Sequence, residues 1–245
     1  VYVEIKKLEA TLAPSDQLPN DKFFVGERIK VYVKKIRQGS RGPIVQVSRT
    51  APGFVRKLFE LEVPEIKNGQ VVIKGLVREP GYRTKMAVYS EDPNIDAVGA
   101  CVGNRGLRVS NIVTELGGEK IEIIPWCEDV LEFIARSLSP AKVIMVEANE
   151  EERNAKVIVK DDMLSLAIGK DGQNARLAAR LTGWKIDVRP YSAYMKHKEE
   201  EEAAEAAAAA EQADAAPAEE NAEATAPAAA EEAPAEKEPT ETPAE

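Results

Sequence analysis

Two short loops carry residue types that suit the binding of an anion. Residues 103–106 read GNRG and residues 169–172 read GKDG, each between two apolar helical patterns. Paired glycines let the backbone approach a ligand closely, because a Cβ atom there would collide with it. Each loop leads into a helix N-terminus, where free N–H groups and the helix dipole favour negative charge. A single G-x-x-G is weak evidence, since tight helix-turn-helix connections share it.

The surroundings of the two loops are repeated as well, which strengthens the prediction. The pattern α-β-β-α-GxxG-α-β occurs twice, at an offset of 66 residues that falls to 65 after one glycine. Such an internal repeat indicates two copies of one folding unit. This order is that of a KH domain, whose loop clamps about four nucleotides. The loop residues predicted to bind RNA are Gly103, Asn104, Arg105, Gly106, Gly169, Lys170, Asp171 and Gly172.

The two loops differ in charge. Arg105 offers a cation, whereas Lys170 and Asp171 offer one charge of each sign. Because an aspartate repels phosphate, we expect the first loop to bind RNA better. Apolar residues before the loops are expected to lie beneath the bases, and two arginines after the second loop either contact phosphate or line a solvated helix face. These flanking residues are Val102, Ile168, Arg176 and Arg180.

Residues 1–50 read as β structure. Apolar residues alternate with polar ones at both ends of this segment, and the turn residues Gly39 to Pro43 separate two of its strands. The few strands suit part of a small β-barrel and are too few to close one. One strand, residues 29–34, presents Lys30, Tyr32 and Lys34 on its outer face. This face suits base stacking and phosphate contacts, although a solvated strand face explains it almost as well.

Charge is unevenly distributed along the 245 residues. Residues 199–245 hold 16 acids and one lysine, which leaves 26 acids against 32 Lys and Arg in residues 1–198. The body is therefore basic by about six charges, which fits nucleic acid but also many ordinary domains. The Ala/Glu/Pro-rich tail is expected to be disordered, with transient helix over residues 199–212. It either competes with RNA for the basic body or serves as a solubilising spacer.

The composition also argues against several functions. Two cysteines without C-x-x-C spacing give neither a zinc site nor a disulfide framework, and no Ser/His/Asp or Cys/His set is apparent. Asp161 and Asp162 favour helix capping over a metal site, because no second acidic cluster accompanies them. No signal peptide or membrane span is apparent. We expect no enzyme activity, no cofactor and no metal, and a cytoplasmic, monomeric protein.

Residues 47–66, 92–124, 138–147 and above all 161–188 resemble the NusA family of bacterial transcription elongation factors. The resemblance covers about residues 1–190. It implies an OB-fold of the ribosomal S-one type before two tandem KH domains, and action in pausing, termination and antitermination through nascent RNA, RNA polymerase and other antitermination factors. Two departures are expected. The strand that begins at Val1 resembles the second strand of the family's barrel, so the first barrel strand and the family's N-terminal polymerase-binding domain are expected to be missing. The tail is low in complexity rather than a folded C-terminal repeat.

The predicted fold is therefore α+β, with a partial OB-fold β-barrel followed by two tandem prokaryotic-type KH domains and a disordered tail. The predicted boundaries are 1–50 for the partial OB-fold, 51–127 and 128–194 for the KH domains, and 195–245 for the tail. The predicted function is single-stranded RNA binding in a transcription elongation factor. Two alternatives stay open: an RNA-binding arm of a ribonuclease or ribosome-associated protein, and a protein–protein scaffold of degenerate KH folds.

Overall fold

A computed structural model describes residues 1–40 and 42–214, with side chains through residue 204. The chain divides into a compact unit of residues 1–199 and a second unit of residues 200–245. The first unit holds three sheets, which are the N-terminal sheet and one sheet in each predicted KH domain. The predicted α+β class is confirmed.

The N-terminal sheet has four strands in the order β1-β2-β4-β3, with β2 and β4 parallel and the other pairs antiparallel. Its strands are β1 (Tyr2–Ile5), β2 (Leu8–Leu12), β3 (Tyr32–Gly39) and β4 (Gly42–Ser48). Alternate residues of β2 and β4 face inward, and Ala10, Leu12, Val45 and Val47 form a small core. The strand predicted over residues 29–34 was placed too early, because β3 begins only at Tyr32.

The first KH domain follows directly. Its elements are α1 (Pro52–Glu62), α2 (Pro64–Lys67), β5 (Val72–Glu79), β6 (Arg83–Tyr89), α3 (Ala97–Val102), α4 (Leu107–Glu115) and β7 (Lys120–Pro125). Pro52 starts α1 because a missing N–H costs nothing in the first turn. The central strand β6 pairs antiparallel with β5 and parallel with β7. Apolar faces of α1, α3 and α4 cover one face of this sheet. The core between helices and sheet includes the buried side chains of Phe59 and Ile112 from the helices and of Met86 from β6.

The second KH domain repeats this order without a second short helix. Its elements are α5 (Val130–Ser137), β8 (Val143–Asn149), β9 (Asn154–Val159), α6 (Leu164–Ile168), α7 (Gln173–Thr182) and β10 (Lys185–Pro190). The sheet order β10-β9-β8 matches that of the first domain read from its other edge. Asp129 caps α5 by accepting hydrogen bonds from the backbone N–H groups of Leu131 and Glu132. Both predicted sequences of elements are confirmed.

The two KH domains pack on each other through α7, which lies against β5 and β6 of the first domain. Gly75 permits this approach, because a Cβ atom there would lie 2.9 Å from Cδ1 of Leu181. The second loop is therefore carried by a helix that contacts the first domain.

A last helix, α8, covers Tyr191–Asp214. The helix formers predicted over residues 199–212 lie within this helix, and the tail boundary at residue 195 stays a prediction. Alanine and glutamate, which are strong helix formers, continue the helix that begins at Tyr191. Residues 215–245 of the predicted tail lie outside the described residues.

Candidate nucleic-acid interface

The two G-x-x-G loops have the same backbone conformation. Gly103 and Gly169 have φ, ψ of 74°, 175° and 76°, 172°, and Gly106 and Gly172 have 74°, 13° and 72°, 14°. The third residue of each loop also has positive φ, at 52° for Arg105 and 53° for Asp171. Agreement within a few degrees at these three positions shows that the sequence repeat is a structural repeat.

The two glycines of each loop serve different purposes. A Cβ atom on Gly103 would lie 2.6 Å from Cγ of Arg108, and one on Gly169 would lie 2.8 Å from Cβ of Asn174. The first glycine is therefore required for the turn itself. By contrast, nothing lies within 4 Å of a Cβ atom built on Gly106 or Gly172. Those two glycines face open space, which leaves room for a ligand beside the backbone.

Equivalent side chains hold both loops closed. Arg108, on α4, donates a hydrogen bond of 2.6 Å to the carbonyl of Ala100 and pairs with Glu65 at 3.0 Å. Asn174, at the matching position of α7, is fully buried and donates to the carbonyl oxygens of Leu138, Leu166 and Ala167. Both contacts join the helix after the loop to the end of the helix before it.

The variable residues of both loops point into solvent. Asn104, Arg105, Lys170 and Asp171 are exposed. Neither Gly106 nor Gly172, which cap α4 and α7, supplies a side-chain hydrogen bond to the helix N-terminus. The first N–H of α4, at Leu107, donates to the carbonyl of Asn104, and that of α7, at Gln173, donates to the carbonyl of Lys170. No side chain of the capping residue covers the N–H groups that follow, and such a helix end favours an anion. Ile168 is 37% exposed and Val102 half-buried, so an apolar residue precedes each loop.

The structure leaves Lys30 and Lys34 exposed and Tyr32 half-buried, so the role predicted for these residues in RNA binding stays a prediction. Tyr32 packs against the core of the first KH domain, and its ring lies close to Gly53. Lys30 pairs with Glu115 at 3.6 Å, and Lys34 donates to Asp16 at 2.9 Å. The segment leads into the first KH domain, and the ring of Tyr32 packs against the core of that domain.

Arg176 and Arg180 both lie on α7 and are exposed. Arg176 is not simply solvated, because it donates to Oε1 of Glu79 at 2.9 Å and to the carbonyl of Asp171 at 3.1 Å. Glu79 belongs to the first domain, so this ion pair crosses between the domains beside the second loop. The sequence pattern could not show it, because Glu79 is 97 residues away.

Sequence reasoning also missed the charged residues that are buried at the domain junctions. Arg49 is 5% exposed and contacts Asp21 and Glu115, which ties the N-terminal sheet to the first KH domain. Arg78 and Glu119 form a fully buried ion pair, and Lys85 is fully buried under the second domain. A charged residue within an apolar strand is a signal for such pairs, but its partner is set by tertiary structure.

Other candidate sites have structural explanations. Burial, with the nearby charge of Glu65, raises the pKa of the Cys101 thiol to about 12, which keeps it protonated at neutral pH. Asp161 accepts a hydrogen bond from the backbone N–H of Ser192, and this lowers the pKa of its carboxyl.

In the described part of the chain, no group of three or more His, Cys, Asp or Glu side chains could hold a metal ion. Within residues 1–40 and 42–214, every helix is too short or too polar to cross a membrane.

This geometry defines a tandem KH module, with two equivalent loops at helix N-termini and a small β-sheet before them. Family models match it closely: residues 49–126 match the NusA-like first KH domain, and residues 130–196 match the NusA-like second KH domain. The chain belongs to the NusA family.

Several bacterial relatives agree with this assignment. Proteins named transcription termination/antitermination protein NusA are 54% identical over 192 residues in Halalkalibacterium halodurans and 48% identical over 186 residues in Thermus thermophilus. These alignments cover 78% and 76% of this chain but 50% and 48% of the relatives. The chain thus spans about half the length of the curated relatives it matches. Their names are those of transcription factors and not of enzymes, which supports the expectation of a non-catalytic chain.

Proposed function

We propose that this chain is the RNA-binding region of a cytoplasmic transcription factor that acts in termination and antitermination. Single-stranded nascent RNA would extend across the two loops, with phosphates against residues 103–106 and 169–172. The observation that carries the proposal is the matched backbone of the loops at two helix N-termini without side-chain caps. The family and the names of the relatives supply the transcriptional context.

In this proposal, the chain binds RNA as a monomer, and RNA polymerase and other antitermination factors are partners of the whole protein. The residues proposed to contact RNA are those of both loops together with Arg176 and Arg180. Lys30, Tyr32 and Lys34 are proposed as weaker contacts, because the ring of Tyr32 packs against a protein core and both lysines are in ion pairs.

Gly106→Asp and Gly172→Asp test this function. Each substitution puts a carboxylate into the open space beside a loop and is expected to weaken single-stranded RNA binding by about 1–3 kcal/mol. The left-handed backbone at both positions adds strain of about 1–2 kcal/mol, although aspartate tolerates this region better than most residues. Fluorescence anisotropy with a labelled single-stranded RNA measures the affinity, and circular dichroism checks the fold. Unchanged affinity in both folded variants would exclude the loops as the RNA site.

The charge difference between the loops gives a second prediction. Arg105→Ala should reduce the salt dependence of binding, by about 0.7 in the slope of log K against log salt for one lost phosphate contact. Asp171→Asn should strengthen binding slightly, because it removes a repulsive charge. Titrations at several salt concentrations measure both effects. An unchanged slope for Arg105→Ala would show that its guanidinium does not contact RNA.

A further inference from the structure

The carboxylate of Glu79 lies against the first turn of the helix that follows the second loop. Glu79 ends β5 of the first domain, and its side chain is 22% exposed. Its Oε2 accepts a hydrogen bond of 2.7 Å from Gln173, and its Oε1 accepts one of 2.9 Å from Nε of Arg176. Nη2 of the same arginine is also 2.9 Å from Oε1. An anion from the first domain is therefore held by two side chains near the start of α7, the helix that follows Gly172.

The same guanidinium contacts the loop itself. Nη1 of Arg176 donates to the carbonyl of Asp171 at 3.1 Å, and half of the side chain is exposed. A planar guanidinium binds carboxylate and phosphate with the same two-pronged geometry. Any phosphate that approaches the second loop would therefore meet a cation already engaged by Glu79.

The surroundings of Glu79 favour the charged form of its carboxyl group. Burial raises the pKa of its carboxyl, but hydrogen bonds from Gln173 and Arg176 and the charge of Arg180 outweigh this effect and lower the pKa. The first loop differs: the positions that match Gln173 and Arg176 are Leu107 and Ser110, which carry no charge. The arrangement is thus specific to the second loop.

We propose that Glu79 occupies a phosphate position beside the second loop, and that RNA displaces it from Arg176 and Gln173. This inference rests on the proposed function and adds to it a residue that sets the strength of the second site. With Glu79 in place, RNA gains a contact to Arg176 only by breaking an existing ion pair. The second loop is therefore the weaker of the two, and the first loop binds RNA first.

The test is a double-mutant cycle with Glu79→Gln and Arg176→Ala, using an oligouridylate long enough to cover both loops. Glu79→Gln should tighten binding at low salt by about two- to fivefold, which is what an exposed ion pair is worth. It should also steepen the salt slope by about 0.7, for one added phosphate contact. Adding Arg176→Ala should cancel the gain. The control is Glu60→Gln, which removes the same charge from the exposed Glu60–Lys57 pair and should leave affinity unchanged.

A direct readout separates displacement from a purely structural role. Carbon NMR of the Glu79 carboxyl should show its pKa rising when the oligouridylate binds, because the hydrogen bonds that lower it are lost and a negative charge approaches. A pKa that stays constant on RNA binding would overturn the proposal. So would a gain in affinity that persists without Arg176, or weaker or unchanged binding by folded Glu79→Gln. If the unmodified chain binds no RNA, the proposed function itself fails. If it binds through the loops without any effect of Glu79, only this inference fails.

Discussion

Glu119→Gln is expected to lower the free energy of unfolding by about 3–5 kcal/mol, the cost of leaving a buried charge without its partner. Both side chains of the pair with Arg78 are fully buried. Glu119 accepts hydrogen bonds from Nε and Nη2 of Arg78, each at 2.8 Å, and also from Thr84 and the backbone N–H of Gly81. Glutamine keeps the shape but loses the charge, and its amide N–H₂ would face the donors that the carboxylate now satisfies.

The destabilisation by Glu119→Gln should be largest where the N-terminal sheet joins the first KH domain. Nη1 of Arg78 donates to the carbonyl oxygens of Arg49 and Ala51, in the segment that connects the two. Urea unfolding measures the loss in stability, and hydrogen exchange shows whether residues 49–51 lose protection first. Asp187→Asn is the control, because it removes the same charge from a half-exposed pair with Arg189. That change should cost less than about 1 kcal/mol. Equal stability of Glu119→Gln and the unmodified chain would contradict this account.

The elements and the loops could be predicted from the sequence because their signals are local. Helix periodicity, paired glycines and a repeat offset depend on neighbouring residues, and the predicted KH elements match the structure within a few positions. The start of β3 was predicted at residue 29, but the strand begins at Tyr32. The aromatic ring of Tyr32 packs against the first KH domain, and no period-two pattern shows such a contact.

The contacts between domains could not be predicted, because they join residues far apart in the chain. Glu79 meets Arg176 across 97 residues, and Arg78 meets Glu119 across 41. Each of these charges reads in the sequence as part of a solvated surface. Their pairing follows only from how the two KH domains and the N-terminal sheet pack. The role proposed for Glu79 at the second loop rests on such a contact, since the first domain supplies the carboxylate that Arg176 binds.

Lys85 is the clearest case of a charge whose role depends on packing between domains. Its ammonium group is fully buried and donates to Oε2 of Glu122 at 2.6 Å and to the carbonyl oxygens of Ser137 and Ser139 at 2.8 and 2.9 Å. All three of its N–H donors are therefore used. Burial lowers the pKa of Lys85, which the pairing with Glu122 opposes. The lysine thus joins the central strand of the first domain to the end of α5 in the second.

The structure supplies a matched control for this residue within the same chain. Lys85 lies opposite Glu122 in the pairing of β6 with β7, and Lys156 lies opposite Asp187 in the equivalent pairing of the second domain. Lys156 is exposed, and the side chain of Asp187 is 48% exposed. The lysine of this pair is therefore buried in the first domain and solvated in the second.

Lys85→Met is expected to cost about 3 kcal/mol or more, because two buried carbonyl oxygens lose their donor and Glu122 loses its closest cation. Lys156→Met should change stability by less than about 0.5 kcal/mol, as is usual for exposed positions. Urea unfolding of both variants gives the comparison.

Because Asn174 also donates to the carbonyl of Leu138, between the two carbonyls that Lys85 binds, loss of Lys85 should loosen the second loop as well. Faster hydrogen exchange at residues 166–174 in Lys85→Met, but not in Lys156→Met, would show that the first domain holds this loop in place. Similar stability and exchange in the two variants would show that the buried lysine does no more than the exposed one.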